Sequence, residues 1–266
     1  MKLLGISILL FLFWSCQDNN SELEAIDASD TLASINLHLD HMVDGQGLVF
    51  NDIRYQNAAG NQYSVMTLKY YISDLVLNSF DGKQVKIDTF HYRDIEFPET
   101  GIMKVEGIPP GEYTSIGFIF GLDSVKNETG ALPPTQANNN MEWPIPMGGG
   151  YHYMKFEGRY LDQDSKVQSF NTHMGRLQTM PPESKLYENF FYVQLPNSTV
   201  SIEPDDQWEI QVLMNLNQWY QDPVIYDINQ FGPAIMGNQD AQKILQENGK
   251  NAFSLGYIFK NKTVAE

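Results

Sequence analysis

Beyond Cys16 the chain has no cysteine. The body can therefore form no disulfide and offers no thiolate to a metal, so any bound ion must take histidine, methionine, carboxylate or backbone ligands. Basic residues are scarce too: 17 Lys and Arg stand against 33 Asp and Glu, a formal charge of −16. That balance argues against nucleic acid as a partner, because binding to a phosphate backbone rests on lysine and arginine. Missing as well are G-x-S-x-G, P-loop, G-x-G-x-x-G and H-E-x-x-H patterns, which removes most support for the familiar enzyme classes. The acidic pairs Asp205/Asp206 and Glu96/Glu99 lie in turn-like surroundings and read as solvated charge, not as a glycosidase pair. No solenoid or propeller repeat and no low-complexity segment interrupts the chain.

Long apolar runs are also absent. The longest, Leu3 to Trp14, is too short to span a bilayer; it follows Lys2 and precedes Ser15-Cys16. These features predict a bacterial lipoprotein signal peptide at residues 1–15, cleaved before Cys16, whose thiol would then carry the lipid and make the membrane a partner; the alternative is an ordinary secretory peptide with a free cysteine. The expected location is the cell envelope, periplasmic or surface-exposed. Cleavage removes Lys2 and moves the formal charge to −17. Residues 16–32 begin polar and acidic, from Gln17 to Glu22, and read as a flexible tether.

What is present from residue 33 to 262 is one texture: short β-like runs, rich in aromatic and β-branched residues, separated by turn residues. It predicts a single all-β domain, an antiparallel β-sandwich with one short C-terminal helix. Ile35 to His41 alternates with Ile35, Leu37, Leu39 and His41 on one face and His38 on the other. Val65 to Asn78 and Gln84 to Tyr92 flank Asp81-Gly82 and predict a hairpin with a type I′ turn; the alternation turns His91 inward. Thr114 to Leu122 is apolar enough for a central strand, and Asn127 to Asn140 reads as a long loop. Asp162-Gln163-Asp164-Ser165 superficially resembles a calcium loop, but Lys166 takes the place of an oxygen ligand, so a hairpin turn is expected. Asn238 caps a helix over Gln239 to Asn248, ended by Gly249, and a last strand covers Ala252 to Phe259.

The stretch Met141 to Gly158 carries the chemistry. Gly148-Gly149-Gly150 feed a strand-like run in which alternation sets His152 beside Met154 and Phe156, pointing inward, with Tyr153, Lys155 and Glu157 opposite. A buried neutral imidazole needs partners for both nitrogens, either a metal or hydrogen-bonding core groups. His173, in contrast, shares a face with Asn171, away from Phe170, Thr172 and Met174. Five histidines and eleven methionines without thiolate form a ligand set that suits copper. Met147, Met154 and Met174, each taken alone, read first as core packing or loop filler.

Taken in order, the chain resembles the MbnP-like copper-binding domain family. The residues that carry the likeness are His41 with its glycine-bearing turn, Leu68 to Asp74 (LKYYISD), Phe118 to Ser124 (FIFGLDS) with Asn127, Met141-Glu142-Trp143, Gly150-Tyr151 through Glu157-Gly158, and His173-Met174-Gly175. The resemblance covers nearly the whole mature chain. It implies an exported β-sandwich that binds copper, in some members through histidines and a tryptophan oxidised to kynurenine by a di-haem, peroxidase-like enzyme encoded nearby. Carried over, it places His173 among the ligands and Trp143 at the oxidised or site-lining position. Trp143 is followed by Pro144 and Ile145, not by a Trp-x-His pattern, so His152 is the candidate replacement ligand.

The expectation is a non-catalytic protein that holds or delivers copper through His41, His152 and His173, with His91 a further candidate, Met154 and Met174 lining the site, and no organic cofactor. The competing reading is a cell-surface lipoprotein that binds a non-metal ligand or partner. A third, a three-histidine zinc hydrolase, requires a carboxylate beside an open coordination position.

Overall fold

The structure, a computed structural model, describes residues 32–261. The signal peptide, Cys16 and all of the tether but Leu32 lie outside the described residues.

Two sheets face one another. In the first, Ala33–Val43 lies between Gln207–Asn215 and Ile102–Ile108, with Phe253–Lys260 at the edge beyond Gln207–Asn215. In the second, Thr67–Ser79 is the hub. Gln84–Asp94 pairs along one side of it; on the other side Met154–Leu161 pairs with its first half and Gly111–Phe120 with its second. The hairpin partner Val167–Met174 continues that sheet from Met154–Leu161. Alternation puts Leu37, Leu39, Ile210 and Val212 of one sheet against Tyr70, Ile72, Phe118, Phe120 and Phe156 of the other, in one contiguous core. Aromatic contacts such as Phe120 to Trp219, 5.0 Å between centroids, and Phe118 to Phe253, 5.3 Å, fill its middle.

The all-β sandwich expected from the sequence is the fold observed, with departures that have physical causes. Ala33–Val43 and Gln207–Asn215 run parallel within the otherwise antiparallel sheets. Parallel neighbours need a long connection, and here nearly the whole domain intervenes. At the predicted hairpin only Gly82 takes positive φ (85°), and Ser79 N donates to Lys83 O at 2.8 Å. The turn is therefore a longer loop with glycine in the left-handed position, not type I′. The 127–140 segment ends in a helical turn, Gln136–Asn140, capped by Thr135. Asp162 forms the expected hairpin turn, its Oδ1 accepting from Asp164 N and Lys166 N. The helix Gln239–Gly249 starts at Asn238 as expected, its side chain accepting from Ala241 N, and its buried face contributes Ala241 and Leu245 to the core.

Candidate metal centre

The site grows from the hairpin of Met154–Leu161 and Val167–Met174. Along both strands one face is core: Met154 and Met174 are paired in register and fully buried, as are Phe156 and Thr172. The opposite face looks outward, and there His173 lies directly across from Lys155, with Glu157 one step along. His173 Nε2 donates to Glu157 Oε1 at 2.8 Å.

His152 reaches the same outward face by leaving the strand. The sequence pattern set it with Met154 and Phe156; the regular strand starts only at Met154. Residues 150–152 are tied instead to the 141–143 segment. His152 N donates to Met141 O at 2.6 Å, Trp143 N to Gly150 O at 2.9 Å, and Glu142 bridges Tyr151. The broken alternation turns the ring over, so His152 is buried but packs edge-on against His173, centroids 5.1 Å apart. Trp143 covers its other side at 4.7 Å. Though buried, Trp143 stands apart from the main core.

Two glycines permit this arrangement. A Cβ on Gly175 would lie 2.6 Å from Trp143 Cε3, so the backbone after His173 and Met174 is the seat of the indole. Gly150, at φ 82°, would put a Cβ 2.1 Å from Asn127 O. Asn127 in turn fixes the loop, its Oδ1 accepting from Tyr151 N and its Nδ2 donating to Tyr153 Oη, each at 2.8 Å. Residues of the LKYYISD and FIFGLDS stretches form this scaffold. Ser73 Oγ donates to Gly121 O at 2.9 Å, and the fully buried Asp74 is held between Lys126 and Lys86, each 2.8 Å away.

Hydrogen bonding decides which nitrogen of each ring can bind an ion. His152 Nδ1 lies 3.0 Å from Met141 O, an atom that only accepts. Burial first, then the Lys155 ammonium, lowers the His152 pKa to about 3, with the carbonyls of Met141 and Glu142 pulling the other way. The ring is neutral at physiological pH, carries its proton on Nδ1 and turns a lone pair to Nε2. In neutral His173 the same logic protonates Nε2, which faces a carboxylate, and leaves the lone pair on Nδ1. That hydrogen bond is the main reason Glu157 titrates below the usual glutamate range. Each imidazole thus has a partner that orients it and one nitrogen able to ligate. The two ring centroids lie 5.1 Å apart. The donor set fits a low-coordinate ion; among the described residues no group of three or more His, Cys, Asp or Glu is gathered to hold one.

The other sequence candidates lie elsewhere. His41 points between the sheets, its Nε2 3.0 Å from the Tyr70 hydroxyl, and burial followed by the Arg93 charge lowers its pKa to about 3. His91 donates through Nε2 to Thr100 O at 2.8 Å, on the core-side rim of Gln84–Asp94. His38 pairs outward with Glu209 at 2.5 Å. Met154 and Met174 are core residues on the face opposite His173. Sequence reasoning passed over Glu157 and Lys155 as site residues. Their shared face was visible in the alternation, but their meeting with His173 depends on the hairpin register.

No curated protein matches the chain. Among solved structures, MbnP from Methylosinus trichosporium is similar at 16% identity and TM-score 0.48, over 73% of this chain and 79% of that one. The MbnP family model matches residues 33–236, which include the second sheet, the first sheet but for its edge strand Phe253–Lys260, Trp143 and both paired histidines. The chain belongs to the MbnP family.

Proposed function

We propose that this protein is an exported, lipid-anchored copper carrier that holds or delivers the metal through His152 and His173 and does not catalyse a reaction. The observation that carries the reading is the edge-to-face imidazole pair at 5.1 Å, each ring oriented by an acceptor on its other nitrogen. A thiol-free imidazole set suits copper, which stands at the top of the affinity order for nitrogen ligands. Copper would be the cargo. Trp143, against His152, is the side chain a di-haem partner would oxidise, and intact-mass measurement of natively isolated protein tests that step.

Titration of apo-protein with copper is the direct test. Wild type, His41→Ala and His91→Ala are expected to bind one ion each, while His152→Ala and His173→Ala lose it. Unchanged stoichiometry in the last two would remove the site. Labelling of Cys16 with a fatty acid, lost in Cys16→Ser, tests the anchor. The competing non-metal reading draws on the same hydrogen bonds, since Met141 O and Glu157 already give each ring a partner. Elemental analysis of the native protein separates the two.

A further inference from the structure

One cation stands beside the histidine pair. Lys155 lies across from His173 in the strand register, and its Nζ donates to Asn140 O at 2.5 Å. Asn140 immediately precedes Met141, whose carbonyl orients His152, so one short segment holds the ammonium beside the imidazole. The ammonium's hydrogen-bond acceptor is a neutral carbonyl. Glu157, two residues along the same face, carries the nearest opposite charge, whereas Lys69, the register neighbour of Lys155, is paired directly, 3.0 Å from Asp94 and 4.0 Å from Glu96.

We infer that Lys155 sets the charge state of the copper that the His152/His173 pair accepts, favouring the monovalent over the divalent ion. The inference rests on the copper reading above. A fixed positive charge repels a divalent ion twice as strongly as a monovalent one at the same place, and for a half-buried ammonium solvent and salt screen the difference only in part. A ligating imidazole is uncharged, and the Glu157 carboxylate hydrogen-bonded to His173 Nε2 offsets part of the ammonium's charge, so removing Lys155 leaves the carboxylate unopposed and tilts the site toward the divalent ion. Lys155 is a positioning residue for charge and does not itself ligate the ion.

The experiment compares wild type with Lys155→Met, Lys155→Arg and Lys69→Met. Cu(I) and Cu(II) affinities are measured separately by chelator competition, and the reduction potential of the bound ion by voltammetry. In Lys155→Met the ratio of Cu(II) to Cu(I) affinity is expected to rise about tenfold, which lowers the potential by about 59 mV for one electron. Lys155→Arg keeps the charge and the wild-type ratio, and Lys69→Met shifts the ratio much less. If wild type binds copper through His152 and His173 but Lys155→Met leaves the ratio unchanged, this inference fails and the copper reading stands. If wild type binds no copper, both fall together.

Discussion

Gly175→Ala tests the architecture of the site without touching a ligand. The added methyl would sit 2.6 Å from Trp143 Cε3 and 2.8 Å from Cδ2 and Cζ3. Carbon atoms in contact keep about 3.5–4.0 Å, so the indole must withdraw by roughly 1 Å. It has little room: Nε1 is tied to Met147 O at 3.2 Å and the far face rests on His152 at 4.7 Å. Overpacking of this kind costs about 1–3 kcal/mol. Urea unfolding followed by circular dichroism, on wild type, Gly175→Ala, Trp143→Phe and the double variant, closes a double-mutant cycle. Phenylalanine lacks the fused ring atoms that clash, so the alanine penalty should largely vanish in the Trp143→Phe background. An equal penalty in both backgrounds would refute the claim that Gly175 is glycine because the indole sits on it.

Acid should weaken the fold through its buried histidines. His41 and His152 are held near a pKa of about 3, against 6.5 for an ordinary histidine. Unfolded chains bind protons at these sites below about pH 6.5 while folded ones do not, so their contribution is complete above 6.5 and declines as pH falls toward 3. At pH 5 that is about 2 kcal/mol per histidine. His41→Gln should flatten the pH dependence of unfolding between 7 and 5, and an unaltered slope counts against the burial argument. At the buried Asp74, Lys126→Met should cost about 1–3 kcal/mol by removing the more buried of the two ammonium groups that hold the carboxylate. Lys86→Met, on a half-exposed side chain, should cost under about 1 kcal/mol by chemical denaturation. Gly158→Ala would thrust a methyl to 1.9 Å from Ser64 O, where Ser64 N is bonded to Arg159 O. It should cost more than about 3 kcal/mol in Tm-derived stability or abolish soluble expression, whereas Gly47→Ala, with open space around its Cβ and no left-handed backbone, should cost far less.

Much of this was legible in the residues. Period-two alternation placed His41 and His91 toward the core, His38 outward and His173 opposite Met174, and the structure has each on that face. The same rule failed at His152, because alternation holds only while the strand remains regular, and the backbone at 150–152 is taken by the 141–143 segment. The turn at Asp81-Gly82 shows a similar limit: the sequence marks where the chain reverses, but loop length and strand twist select the turn geometry.

Composition and alternation, which are local properties, thus determined the strand-rich class, the absence of thiol ligands and the facing of most histidines. Tertiary structure decided which of those histidines meet. The seating of Trp143 on Gly175 is encoded in no one segment, since it arises only when the 141–143 segment takes the backbone hydrogen bonds at 150–152 and the indole takes the space over the end of the hairpin.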